Sequence, residues 1–168
     1  DHIKGPMHWL DHHKPQHDKL KIPKNIHYYN PRIEDKEDGS PTSYWAYQIA
    51  QDHLWIAMAG IIGDYHWDEK LAAELRTQHP ELLPLHITDQ GAALFNSPLG
   101  KLIRILNFNL KGPVTSAMTS VKIFTRIESP QEILEQTTPR GNYLYKRYLR
   151  VNKAYEELYK IGLDCVKE

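Results

Sequence analysis

The segment Met7-His8-Trp9-Leu10-Asp11-His12-His13-Lys14-Pro15 most constrains what this chain can fold into. A short apolar run ends in a carboxylate and two imidazoles, and a Lys-Pro pair closes it. Where a buried strand stops, its last side chains are fixed in direction and open to solvent, which is where a parallel α/β sheet places its chemistry. A second stretch, Ile26-His27-Tyr28-Tyr29, closes on Asn30-Pro31 and reads as another strand. Between the two, Lys14 to Asn25 is polar, carries Pro15 and Pro23, and reads as a connecting loop. The expectation is an α/β fold: a partial parallel sheet flanked by helices, with a helical C-terminal extension.

The helices announce themselves by caps and spacing. Ser40-Pro41 is expected to open one, with Ser40 as N-cap and Pro41 at the first helical position. Leu54 to Ile62 is almost wholly apolar, and helix is favoured over strand because Ala57, Ala59 and Gly60 are small and not β-branched. Asp68 caps a helix running to Gln78, with Leu71, Ala72 and Leu75 on one face, and His79-Pro80 and Pro84 end it. From Ser97 the pattern is helical. Pro98 to Leu110 is stopped by Lys111-Gly112-Pro113, Val114 to Ile127 follows, and Ser129-Pro130 opens a short helix. The longest, Asn142 to Lys167, carries a stripe of Leu144, Tyr148, Val151, Tyr155, Leu158 and Gly162. Trp45, Trp55 and Tyr148 are expected in the core, and Trp67 beside a cleft. The division expected is 1–112 for the part bearing the chemistry and 113–168 for a helical connecting region.

At 168 residues with 40% hydrophobic and 25% charged, the chain reads as one soluble domain of ordinary size. No apolar run approaches the ~20 residues that span a bilayer, and no basic-then-apolar signal peptide is visible. The first residue is not Met and the pattern begins as if inside a domain, so the chain reads as a piece of a longer one. Cys165 is the sole cysteine, which excludes a disulfide within the chain and a thiolate zinc site, and points to a reducing, cytoplasmic setting. The net charge of zero is uneven. Residues 1–89 hold 9 Lys and Arg against 14 Asp and Glu, and residues 90–168 hold 12 against 7. An acidic half that holds metal and a basic half that faces a polyanion would give this split, as would two ordinary solvated surfaces.

His12 and His13 are adjacent, so at a strand end they point in different directions. One can bind a metal while the other meets substrate, and Asp11 can ligate or orient an imidazole. Asp64 follows the glycine-flanked apolar run Gly60-Ile61-Ile62-Gly63. Because Asp68 is the better helix cap, Asp64 is left for a metal. A second metal set, His13 with His17 and His8, needs a helix that Pro15 opposes. Neither HExxH, GxSxG nor GxxxxGK[ST] occurs. Lys146, Arg147 and Arg150 lie among Tyr143, Tyr145 and Tyr148. Such a patch can track a single strand by pairing phosphates and stacking bases, or it can be a solvated helix face with tyrosines turned inward.

Trp9-Leu10-Asp11-His12-His13-Lys14-Pro15, Asn30-Pro31-Arg32, Ser40-Pro41-Thr42-Ser43 and Gly60-Ile61-Ile62-Gly63-Asp64, in this order and spacing, resemble the DHH phosphoesterase superfamily. That superfamily includes RecJ exonucleases, nanoRNases, cyclic-dinucleotide phosphodiesterases and family II pyrophosphatases. The resemblance covers about the first two-fifths of the chain. It implies the second half of a DHH catalytic domain, His12 and Asp64 as ligands of one metal, His13 approaching the scissile phosphate, and Asp11 supporting them. It also implies Mn²⁺ or Mg²⁺, two ions in the complete domain, since carboxylate and imidazole without thiolate suit them. The activity implied is hydrolysis of single-stranded DNA or RNA or of short oligonucleotides, a RecJ-like exonuclease, with Lys146, Arg147 and Arg150 on the strand. Other DHH hydrolases, or a non-catalytic DHH scaffold, are the alternatives. The family's two upstream motifs and its DHHA1 domain have no counterpart in this chain.

Overall fold

A computed structural model of the chain describes residues 4–15 and 22–167. Helix predominates among them, beside one two-stranded parallel sheet, so the fold is mixed α/β with the balance well toward helix. The described residues divide into two compact units, Asp1–Leu94 and Phe95–Glu168. The expected division at 112/113 lies inside the second of these units.

In the first unit, β1 (Met7–Leu10) pairs in parallel with β2 (Ile26–Tyr29), with Met7 opposite Ile26 and Leu10 opposite Tyr29. The ladder ends where the Asp11 N–H donates to the Tyr29 carbonyl at 3.1 Å. Chain direction at Asp11 is therefore set by the sheet, and His12 and His13 are the first residues beyond it. The expected burial of this strand does not hold: His8 is exposed, and Met7, Trp9 and Leu10 are half-buried. The described sheet has only two strands, and side chains alternate between its faces. One face carries a stacked His8–His27 pair, ring centroids 5.0 Å apart, and Trp9 meets Tyr28 at 4.7 Å.

The core of this unit is helical. α1 (Thr42–Ala50) has no fully buried residue, and Trp45, expected in the core, is half-buried with its ring edge-on to Tyr29. Gln51 and His53 both take left-handed backbone, with φ of 51°, and turn the chain sharply back. α2 (Leu54–Gly63) follows and is buried on nearly every side, Trp55 included, as expected of a helix apolar all round. α2 crosses α1 at Gly60. An alanine Cβ there would lie 2.6 Å from the Ser43 Cβ, so only glycine lets the helices meet this closely. α3 (Glu69–Gln78) is capped by Asp68, which accepts from the Leu71 N–H at 2.8 Å, and it buries Leu71, Ala72 and Leu75. α4 (Gln90–Asn96), inside which the first unit ends, has no cue in the apolar pattern, and Asp89 caps it through the Ala92 N–H at 2.8 Å.

The second unit packs α5 (Pro98–Asn109), α6 (Val114–Phe124), α7 (Pro130–Leu134) and α8 (Pro139–Lys167). α6 stops three residues before the expected Ile127, because Arg126 and Ile127 turn back onto the carbonyls of Ile123 and Phe124. α8 starts three residues before the expected Asn142, because the Thr138 hydroxyl accepts from the Gly141 N–H at 3.1 Å. Buried Asn109 ties three helices: its amide donates to the Ile105 and Leu144 carbonyls, both at 2.9 Å, and its oxygen accepts from Ser120. The α8 stripe is buried only at its start. Leu144 and Tyr148 are enclosed, whereas Leu158 is 69% exposed.

Glu132 is the buried acid of this unit. It accepts from the Glu128 N–H at 2.7 Å, from the Thr138 hydroxyl at 2.8 Å and from the Ser129 N–H at 3.4 Å. The Glu128 N–H is the largest influence. With the other donors it outweighs burial and holds the carboxyl below its ordinary range. A carboxylate depressed in the folded state stabilises it above the unfolded pKa, about 4.3, and that contribution disappears as pH falls through the folded value. Glu132→Gln is therefore expected to destabilise the protein by about 1–3 kcal/mol at pH 7. It should also flatten the loss of stability between roughly pH 5 and pH 3. Urea midpoints across that range check both.

Candidate metal centre

Asp11, His12 and His13 each present a ligand atom within 4.8 Å of the others. Asp64, 52 residues beyond His12, brings its Oδ2 to 4.0 Å from His12 Nε2. The route is short. The sheet fixes Asp11, the Gly60–Ser43 crossing sets α2 against the first turn of α1, and Asp64 caps the C-terminus of α2 by donating its N–H to Gly60 O at 3.0 Å. The Asp64 carboxylate is not spent on α3, which Asp68 caps.

The first turn of α1 is itself part of the centre. Ser40 does not cap it; extended Pro41 occupies the cap position without a side-chain bond. Instead the Thr42 N–H donates to His12 Nδ1 at 3.2 Å, and the Thr42 hydroxyl lies 2.9 Å from the same nitrogen. The N–H contact requires a lone pair on Nδ1, so the ring proton sits on Nε2, facing Asp64. Ligation of a cation through Nε2 would move the ring proton to Nδ1, where the Thr42 hydroxyl could accept it only if the Thr42 N–H gave up its bond to that nitrogen.

His13 is held differently. Its ring Nδ1 lies 2.7 Å from Asp11 Oδ1, and its backbone N–H donates to the same oxygen at 3.2 Å. Burial pushes the Asp11 carboxyl up, but the bonds from His13 and the attraction of its ring outweigh this and leave it below the ordinary range. The His12 and His13 rings stack at 4.5 Å, and the His13 side chain is 79% exposed. Asn30 secures the backbone from below: its amide donates to the His13 carbonyl at 2.9 Å, and its oxygen accepts from the Arg32 N–H at 3.0 Å.

The donor set fits a divalent cation. Two atoms that each lie about 2.1 Å from one ion are roughly 3–4.2 Å apart, depending on their angle. The His12 Nε2 to Asp64 Oδ2 distance of 4.0 Å falls within that span. Imidazole with carboxylate is a donor set that could hold a metal ion and does not single out one metal.

Asp11, His12 and His13 thus form one group in the first unit, and Asp64 meets His12 at its edge. His17, of the second metal set, lies outside the described residues. Lys146, Arg147 and Arg150 lie on α8 in the second unit. Lys146 and Arg150 are exposed, while Arg147 donates to the carbonyls of Asn109 (3.4 Å) and Lys111 (2.6 Å) at the end of α5. A cation at a helix C-terminus is well placed for that capping role. Trp67, expected beside a cleft, donates to Glu69 at 2.8 Å and packs under the Arg76 guanidinium. Thr42 and Asn30 support the group without a sequence signal of their own. The Ser-Pro-Thr-Ser and Asn-Pro segments that hold them read as a helix start and a strand stop, and their partners are set by tertiary placement.

Compared with protein-family models, curated proteins and solved structures, the chain shows no match. Among the described residues no helix is long and apolar enough to cross a membrane.

Proposed function

We propose that this chain carries the metal-binding end of a DHH-type phosphoesterase that hydrolyses single-stranded nucleic acid or short oligonucleotides, in the manner of a RecJ-like exonuclease. The observation that carries this reading is the meeting of His12 with Asp64, 4.0 Å apart at Nε2 and Oδ2, beside Asp11 and His13. Mn²⁺ or Mg²⁺, when bound, supplies Lewis acidity at phosphorus and makes water a competent nucleophile near neutral pH. His12 and Asp64 are the residues that would hold it. Thr42 fixes the His12 ring, and Asp11 fixes the tilt of His13. With Nδ1 tied to Asp11, His13 Nε2 is left for a phosphate oxygen, where an N–H donor neutralises developing negative charge. Exposed Lys146 and Arg150 supply positive charge for a polyanionic strand.

The test is Mn²⁺-dependent release of mononucleotides from a short single-stranded oligonucleotide by the native polypeptide that carries this sequence. Pyrophosphate and a cyclic dinucleotide are assayed in parallel. Turnover of the oligonucleotide that EDTA abolishes is the expected result. Turnover of only a small substrate would move the protein to another DHH activity. Folded, metal-loaded protein with no turnover of any of the three would make it a scaffold.

A further inference from the structure

Beside the metal centre lies a cavity of about 530 Å³, lined by Lys14, Pro15, Arg32, Ile33, Lys36 and Glu37. Three cations face one carboxylate on its wall. Among the described residues none of the three takes part in an ion pair. Arg32 is the most constrained of them. Its N–H is bound by Asn30 Oδ1, the same Asn30 that binds the His13 carbonyl, so one side chain links the backbones of the metal segment and of Arg32. The Arg32 Nε is buried and has no hydrogen-bond partner among the described residues. That Nε is closed off from the cavity, so Arg32 counts there as a cation on the wall, and phosphate is an anion whose oxygens match a guanidinium. Ile33, 51% exposed, and Pro15 give the same cavity an apolar wall. Its volume is in the range of pockets that hold small molecules, larger than one phosphate ion requires.

We infer that this cavity binds a nucleoside phosphate, the phosphate on Arg32 with Lys14 and Lys36, and the sugar and base against Ile33 and Pro15. The positive, half-apolar wall stands on the lining alone; the choice of a nucleotide over other phosphate esters rests on the phosphodiesterase reading. Lys14 follows His13 directly, so the site would hold the nucleotide that neighbours the bond under attack.

Binding is measured calorimetrically in EDTA, so that the metal centre does not contribute. The probes are adenosine 5′-monophosphate, adenosine and inorganic phosphate. The nucleotide is expected to bind at least about tenfold more tightly than either of the other two. Arg32→Gln should weaken it about tenfold or more, and exposed Lys36→Gln, a surface change that leaves packing alone, by less and in a salt-dependent way. Circular dichroism establishes whether each variant is folded. Equal affinity for inorganic phosphate and nucleotide would overturn the nucleotide assignment. Unchanged nucleotide affinity in folded Arg32→Gln, or in Lys36→Gln if Arg32→Gln does not fold, would overturn the site. Because the assay is metal-free, a failure of hydrolysis elsewhere leaves this result readable, and the reverse also holds.

Discussion

Gly141→Ala is expected to cost the second unit about 3 kcal/mol or more. Gly141 sits in the first turn of α8, against the Glu132 carbonyl of α7. A Cβ built there falls inside the van der Waals envelope of the Glu132 C=O and close to the Ile133 N. These are backbone atoms, so no rotamer change relieves the clash, and one helix must move. Moving it breaks what surrounds the contact. Glu132 loses its hold on Thr138, Thr138 loses the Gly141 N–H, and the buried Ile133 and Leu144 lose their packing. Overpacking against side chains costs about 1–3 kcal/mol, and overpacking against backbone belongs at or beyond the top of that range. Gly162, later in the same helix, has open space where a Cβ would go. Gly162→Ala should therefore be neutral or slightly stabilising, by up to about 1 kcal/mol from helix propensity. Thermal or urea denaturation of the pair checks the contrast, and similar midpoints for both would mean that α7 and α8 are not in this contact.

Asp64→Asn and His12→Ala are expected to reduce metal-dependent hydrolysis by about 100-fold or more. Loss of an outer-shell partner typically costs 10–100-fold, and loss of a ligand belongs at or past the upper end. The two variants are not equivalent controls. His12 accepts the Thr42 N–H at the start of α1, so its removal also leaves a helix uncapped, at a cost of about 1 kcal/mol. Asp64 makes no side-chain hydrogen bond among the described contacts and is half exposed, so Asp64→Asn changes charge and ligand quality while leaving the fold alone. Thr42→Val leaves the backbone N–H in place and removes the hydroxyl that would receive the Nδ1 proton of a metal-bound His12 ring. A loss of about tenfold, with the fold intact, is expected for it. Rates with saturating Mn²⁺ and at limiting Mn²⁺ separate the cases: added metal should recover part of the Thr42→Val loss.

The elements that were legible in the residues are those with local causes. Asp68 caps α3 through its own side chain, Pro98 opens α5 after Ser97, and the period of Leu71, Ala72 and Leu75 marks a buried face whatever packs on it. α2 was legible as a helix because small residues and glycine argue against a strand, even where periodicity is silent. What was not legible depended on distant partners. Ser40 and Pro41 look like a cap and a first turn, but the ring of His12, 30 residues away, does the capping. β1 looks buried because it is short and apolar, while burial depends on how many strands join it. Arg147 looks available in a basic stretch, yet the end of α5 comes within its reach. At the centre, the residue types and the Gly-Asp ending pointed to Asp11, His12, His13 and Asp64. Their supports, Thr42 and Asn30, carry no signal of their own until the chain is folded.

The central claim is that His12 and Asp64 hold one divalent cation beside Asp11 and His13. Its most direct test is a Mn²⁺ titration of this chain followed by electron paramagnetic resonance, in the native sequence and in Asp64→Asn. The account predicts saturable binding by the native chain and at least a tenfold loss of affinity in the folded variant. Equal affinities, or no saturable binding by either protein, would contradict it.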